Sequence, residues 1–212
     1  MEKKIITIGR EFGSGGHEIG ERLAKALRIP FYDKNLILKV AGELHLTEKE
    51  VARVDENAIS DMTAAYMAHC ENVLRSKREY DRFFFDEGAE NLPNLVYGQQ
   101  EQIILAAADM GACVIVGRCA DYVLRDRQDV LRVFVHANQE LRIRRIAERS
   151  VLSVGEARKS MEAVDKRRKR YYKQHTDQSW GNADQYHVVA NTGLLRIDEV
   201  VGMLQAIYEM ED

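Results

Sequence analysis

Four glycines fall within eight residues near the start of this chain: Gly9, Gly13, Gly15 and Gly16, in the run Ile8-Gly9-Arg10-Glu11-Phe12-Gly13-Ser14-Gly15-Gly16-His17-Glu18-Ile19-Gly20. The chemistry open to such a run is anion binding. Where side chains are missing, backbone N–H groups approach a phosphate closely, and a helix beginning there adds the positive end of its dipole. A tight turn that merely needs positive φ angles is the plainer reading; four glycines placed directly after a first strand weigh against it. Gly13, Ser14, Gly15, Gly16 and His17 are therefore the expected phosphate-binding residues. The spacing departs from the usual phosphate loop, G-x-x-x-x-G-K-[ST]. With Gly15 as the last loop glycine, Gly16 stands where the lysine belongs, His17 where the magnesium-binding Ser/Thr belongs, and Arg10 at the first glycine position. A dinucleotide G-x-G-x-x-G fits no better, because Glu18 occupies its third glycine position after Gly13 and Gly15.

Transfer of a phosphoryl group asks a protein mainly to hold two groups in line and to meet developing charge with cations. A loop without lysine needs that charge from elsewhere. Arg10, inside the loop, is the first candidate. Arg118 is the second, since it follows the apolar run Cys113-Val114-Ile115-Val116 on the side where ligands bind in open α/β sheets. Arginine is also dense from 142 to 170, at Arg142, Arg144, Arg145, Arg149, Arg158, Arg167, Arg168 and Arg170. Its planar fork matches phosphate oxygens, although most charge runs are solvated helix faces, and Arg142 and Arg149 are assigned to such a face. Asp165 is placed to orient one of these arginines. Glu11, Asp33 and Asp121 are candidate carboxylates for magnesium, with surface or capping roles equally open. Tyr171 and Tyr172 could stack on a base, but packing is the commoner use. Cys113 reads as core. Cys119 lies nearer the site without a partner that would make it a nucleophile, and the histidines show no metal-ligand spacing.

The elements that must carry these residues alternate between strand and helix. Lys4 to Ile8 reads as a buried strand, Gly16 to Leu27 as a helix, and Ile29 to Tyr32 as a second strand. Asp33 is an N-cap for a following helix, and Thr47 with Glu50 forms a capping box. Residues 57–92 mix aromatics and charge, the pattern of a helical insert or a flap. Further along come a helix from Gln99 to Met110, strands at Cys113–Val116 and Val130–Val135, and a helix from Gln139 to Arg149. A basic helix capped by Ser153 runs to Tyr172; a strand at Tyr186–Ala190 and a helix from Asp198 to Tyr208 complete the chain. This alternation predicts an α/β fold, a parallel sheet with helices on both faces.

The bulk properties agree. A chain of 212 residues supports one sizeable core and a small subdomain. Apolar residues make up 45% and charged residues 31%, the formal net charge is -3 and the pI is about 6.1. No global basic character points to nucleic acid, so an anionic ligand must meet local basic clusters. Three cysteines, Cys70, Cys113 and Cys119, form no CxxC pair. That argues against a disulfide framework or thiolate zinc and suits a reducing cytoplasm. The opening run MEKKIITIGR is too short for a signal peptide, and no later stretch reads as a membrane span.

Several motifs together carry a resemblance. Gly9 to Gly16, Pro30-Phe31-Tyr32-Asp33-Lys34, Val116-Gly117-Arg118-Cys119-Ala120-Asp121-Tyr122, Asp165-Lys166-Arg167-Arg168, Tyr171-Tyr172 and Trp180-Gly181 resemble the cytidylate-kinase-like family of bacterial proteins. That family is similar in turn to the P-loop nucleoside monophosphate kinases. The resemblance implies one P-loop NTPase-type domain over residues 1–212, three-layered α/β/α with a five-stranded parallel sheet. It carries a helical insert over about 43–98 and an arginine-rich lid over about 150–182. It also implies transfer of a phosphoryl group from ATP, with Mg2+, to a nucleotide such as CMP. Gly13, Ser14 and Gly15 match the loop core. Arg118 matches the arginine that meets the monophosphate, but Cys119 follows it where the kinases have Asp, and Asp121 comes two later. Asp33 matches the start of the acceptor segment, so Asp33, Arg118 and Asp121 are the implied acceptor-binding residues. Arg145, Arg167 and Arg168 join Arg10 and Arg118 as implied catalytic cations, the lid arginines matching only as a cluster. The exposed aromatics Phe83 to Phe85 offer a homo-oligomer contact. A different class stays open: a nucleotide-binding regulatory protein whose degenerate loop has lost catalysis. A Rossmann-type dinucleotide binder is the weaker third reading.

Overall fold

The computed structural model describes residues 4–33 and 92–210. The expected helix beyond Asp33, the Thr47–Glu50 box, Cys70, Phe83–Phe85 and most of the expected insert lie outside the described residues. The chain divides into two compact units, Met1–Phe31 with Cys113–Asp212, and Tyr32–Ala112.

Strand β1, Ile5–Arg10, is buried from Ile5 to Gly9, and it ends where the glycine loop begins. Helix α1 follows over Gly16–Leu27 and β2 over Phe31–Tyr32. Helix α2 spans Leu92–Met110 and belongs to the second unit. It begins earlier than the expected Gln99 because Pro93 falls in its first turn, where a missing N–H costs nothing. The run CVIV forms β3, Cys113–Val116, fully buried, and the one-turn helix α3 covers Ala120–Val123. Then come β4 at Val130–His136, α4 at Gln139–Ser150 and α5 at Val154–Thr176. Ser153 caps α5 in a capping box with Glu156. The last two elements are β5, Val188–Asn191, and α6, Ile197–Glu209.

The sheet has five strands in the order β2-β3-β1-β4-β5. β1 pairs in parallel with β3 (Ile8 opposite Val116) and with β4 (Ile8 opposite Val133), and β4 pairs in parallel with β5. On one face Ile6, Ile8, Val114, Val116, Val133 and Val135 pack against Ile19 and Leu23 of α1 and Val200 and Leu204 of α6. A smaller cluster joins Ile143 and Ile146 of α4 to Ala157 and Met161 of α5, with Phe12 of the loop packed on it. Because β1 feeds β2 on one side while β3 feeds β4 on the other, the neighbours β1 and β3 form a switch point. A crevice opens beyond the carboxyl ends of such a pair. Arg10 ends one strand, and Gly117-Arg118 follows the other.

Strand β5 starts two residues later than expected. A 3₁₀ turn at Ala183–Gln185 intervenes, and the Tyr186 N–H closes it by donating to the Ala183 carbonyl. Helix α6 starts at Ile197 behind Arg196, one residue before the expected Asp198.

Candidate functional site

The loop between β1 and α1 takes its shape from two positive-φ glycines, Gly13 at 80° and Gly15 at 85°. A side chain at Gly13 would also run into the Arg142 carbonyl at 2.8 Å. Gly15 caps α1 without a side-chain bond, so the cap residue offers the first amides of the helix no side-chain acceptor. The loop carbonyls, by contrast, are tied back. Arg168 Nη1 donates to the Arg10 carbonyl at 2.8 Å. Ser14 Oγ donates to that of Glu11 at 2.8 Å, Arg142 Nη1 to that of Phe12 at 3.2 Å, and Thr192 Oγ1 to that of Ser14 at 2.7 Å. Arg145 Nη1 adds a second, longer bond to the Ser14 carbonyl at 3.3 Å and holds Thr192 Oγ1 at 2.9 Å.

The amides divide into two sets. The Glu11 N–H donates to the Val135 carbonyl and that of Phe12 to Asp165 Oδ1 at 2.9 Å. Ser14 spends both its N–H and its hydroxyl on the Glu11 carbonyl, and its side chain is fully buried. The N–H groups of Gly13, Gly15 and Gly16 donate to no protein group among the described residues. A loop with its carbonyls drawn outward and these amides unspent has the charge pattern of an anion cradle. His17, one residue on, rests edge-on against Phe31 with ring centroids 5.4 Å apart.

The expected solvated position of Arg142 is wrong. Its side chain is 6% exposed, and Nη1 meets Asp165 Oδ2 at 2.5 Å. Its Nε lies 3.4 Å from Glu11 Oε2. A charge this buried persists only when paired. Here the pair grips the loop: Asp165 takes the Phe12 N–H and Arg142 the Phe12 carbonyl. Asp165 thus orients an arginine, and the arginine is Arg142. Glu11, a candidate magnesium carboxylate, is engaged with Arg142 and with the Ala137 N–H at 3.2 Å.

Arg168 lies over the Phe12 ring at 5.7 Å and 3.9 Å from Asp165. Burial lowers its pKa, and Asp165 opposes that shift. Arg145 braces the loop from α4, whereas Arg167 is exposed on α5. Past β3, three successive residues take positive φ: Gly117 at 83°, Arg118 at 56° and Cys119 at 56°. Two of them carry side chains, and strain of this kind collects at working sites. The Arg118 guanidinium stacks on the Tyr171 ring at 5.4 Å, and Tyr171 packs on His175 at 4.5 Å. Burial raises the Tyr171 pKa and lowers that of His175, the latter with help from the Arg118 charge.

Asp121 is turned inward. It is 7% exposed and accepts the Tyr172 hydroxyl at 2.8 Å. Burial raises its pKa. Tyr172 is 4% exposed, so it packs and does not offer its ring to a base. The Cys119 thiol is pushed up to about 12 by burial, which keeps it protonated and unreactive. Asp33 directly follows β2, half-buried, in the second unit.

Two residues that fix the loop escaped the sequence. Arg142 had a legible signal: its partner Asp165 continues the apolar stripe Ala157, Met161 of α5 at four-residue spacing, which places a carboxylate on a buried face. Thr192 had only its position beyond the carboxyl end of a parallel strand.

The profile of the cytidylate kinase-like family matches residues 5–194. No curated protein sequence matches the chain. Among solved structures, a protein from Eubacterium ventriosum superposes with a TM-score of 0.70 at 24% identity, covering 99% of this chain and 100% of its own. TT1252 from Thermus thermophilus gives 0.52 at 17% identity with both chains fully covered. A shikimate kinase from Bacteroides thetaiotaomicron gives 0.51 at 15%, covering 97% of this chain and 98% of its own. Identities this low speak to the fold alone, and that fold is the P-loop kinase fold.

Proposed function

The chain belongs to the cytidylate kinase-like family, and from that premise we propose that it transfers the γ-phosphoryl group of ATP to a nucleoside monophosphate of the CMP kind. Membership in a kinase-like family and the P-loop kinase fold support phosphoryl transfer in general. The observation that carries the nucleotide reading is the loop itself, whose carbonyls are held back by donors while the amides of Gly13, Gly15 and Gly16 are left unspent. In this reading those amides take the β- and γ-phosphates of ATP. Arg10 and Arg118, at the carboxyl ends of β1 and β3, meet the transferring group and the acceptor's phosphate. The acceptor oxygen bonds to the γ-phosphorus as the bond to the β-phosphate oxygen breaks, ADP leaves, and the acceptor gives up its proton if it carries one. In this reading Arg145, Arg168 and Asp121 hold the site's shape through the Ser14 carbonyl, the Arg10 carbonyl and the Tyr172 hydroxyl, and Arg167, exposed on α5, reaches a bound nucleotide.

Mg2+ accompanies ATP in such enzymes and offsets phosphate charge. No group of three His, Cys, Asp or Glu side chains able to hold a metal occurs among the described residues. No helix among the described residues is long and apolar enough to cross a membrane.

The rival is a regulatory nucleotide binder with a disabled loop. It draws support from the same contacts, since three arginines are occupied with loop carbonyls. A coupled assay with ATP, Mg2+ and a panel of monophosphates, with shikimate added because one structural relative is a shikimate kinase, separates the two. ADP production with a pyrimidine monophosphate is the expected result. ATP binding without ADP production for any acceptor refutes the kinase reading in favour of the rival. Arg118→Ala is expected to weaken acceptor use more than ATP binding, and equal losses in both would refute its assigned place.

A further inference from the structure

The two departures from the usual phosphate loop lie against each other in space. Arg10 occupies the first glycine position of the motif and Gly16 the lysine position. A Cβ placed on Gly16 would stand 2.5 Å from Arg10 Cβ and 3.0 Å from its Cγ, with Val135 Cβ at 3.2 Å. Separations under about 3 Å do not occur between packed carbons, so the stem of Arg10 fills the space from which a lysine at 16 would grow. Gly16 is the first residue of α1 and is not among the positive-φ glycines. Its backbone therefore accepts an L-residue, and the closest obstacle to one is the Arg10 stem, with Val135 Cβ second. From there the arginine runs to Gly117, where a Cβ would overlap its Nη1. Gly117 leaves β3, so the guanidinium ends at the crevice between β1 and β3, on the Arg118 side of the loop.

We propose that Arg10 and Gly16 form one compensated exchange, in which Arg10 carries the cation that the loop lysine supplies in the usual motif and Gly16 is glycine because the Arg10 stem occupies its Cβ space. The inference rests on the phosphate-loop reading above and adds its missing charge. It makes the loop an altered phosphate site, with the cation entering from the first loop position instead of the seventh. A planar fork beside Arg118 also suits two phosphate oxygens at once.

Two measurements test it, one independent of activity. The first is thermal unfolding of Gly16→Ala in two backgrounds. In the wild-type chain the added methyl meets the Arg10 stem, and the melting temperature is expected to fall. In the Arg10→Gly chain the closest contacts of that methyl are gone and Val135 Cβ at 3.2 Å remains, so the fall is expected to shrink markedly. An equal fall in both backgrounds overturns the steric half of the proposal. The second is binding of Mg·ATP by calorimetry. Arg10→Gly is expected to weaken it roughly ten- to a hundredfold, the worth of a hydrogen bond to a charged group. The literal swap Arg10→Gly/Gly16→Lys is expected to recover most of that loss, whereas Gly16→Lys alone is expected to lose both stability and binding. If Arg10→Gly binds Mg·ATP as the wild type does, or if the swap recovers nothing while remaining folded, the exchange is wrong although the phosphate-loop reading survives. If the folded wild-type chain binds no Mg·ATP, the phosphate-loop reading fails and the exchange with it.

Discussion

Asp165→Ala is expected to destabilise the fold by about 3 kcal/mol and to loosen the phosphate loop at the same time. Asp165 has three partners: Arg142 Nη1 at 2.5 Å, the Phe12 N–H at 2.9 Å and Arg168 Nη1 at 3.9 Å. Both members of the main pair are shielded, with side chains 6% and 12% exposed. Deleting one partner of a buried pair typically costs about 3–5 kcal/mol, because the surviving charge is left in a poor solvent. Arg142 would keep Glu11 at 3.4 Å and the Phe12 carbonyl at 3.2 Å, which puts this case at the lower end. For a chain of this size, about 3 kcal/mol lowers the melting temperature by roughly 6–12 °C. The informative companion is Arg142→Met/Asp165→Leu. Replacing a whole buried pair by apolar residues of similar volume is often neutral or stabilising, so this double variant should melt near the wild type. It nonetheless removes the donor to the Phe12 carbonyl and the acceptor for the Phe12 N–H, so loop order should not return with stability. Amide hydrogen exchange at Gly13 to Gly16 and Mg·ATP affinity read the loop, and thermal unfolding reads the fold. A cost below about 1 kcal/mol for Asp165→Ala would refute the pair's energetic role. A stable double variant that binds Mg·ATP as the wild type does would refute its role in shaping the loop.

Arg118→Gly tests the strain beyond β3. A non-glycine residue in the left-handed region costs about 1–2 kcal/mol, so glycine at φ 56° should leave stability unchanged or raise it by about 1 kcal/mol while acceptor use collapses. A clear loss of stability would mean that the stack on Tyr171 outweighs the strain. Asp121→Asn tests the inward carboxylate. Burial holds its folded pKa above the ordinary 3.8, against the pull of the Tyr172 hydroxyl. A carboxyl whose folded value is raised binds its proton more tightly in the folded chain, so its contribution is fully present below 3.8 and is lost as pH climbs through the folded value. An amide keeps an acceptor for Tyr172 and cannot ionise. The variant should therefore match or exceed the wild type in melting temperature at neutral pH and lose that advantage in acid. An Asn variant weaker at pH 7 would show a carboxylate that is paired and not merely buried.

What was legible in this sequence divides along the range of the interactions involved. Gly13 and Gly15 announced the loop because a positive φ is a demand of the local backbone, and the run Cys113–Val116 announced a central strand because burial on both faces needs continuous apolar residues. Ser153 marked the start of α5 by a cap that acts over three residues. Arg142 is buried and not on the expected solvated face, since a guanidinium's destination is set by whatever packs opposite it. Arg142 and Arg145 lie on one helix three residues apart, and the structure sends the first to Asp165, 23 residues on, and the second to Thr192, 47 residues on. Neither pairing is visible in helix periodicity, which separates inside from outside but does not name a partner. The mismatched loop shows the converse. An arginine at the first position and a glycine at the seventh look like two defects when each is compared with its own motif position. They become one coherent substitution only when the Cβ that Gly16 lacks is placed against the arginine stem that Arg10 brings.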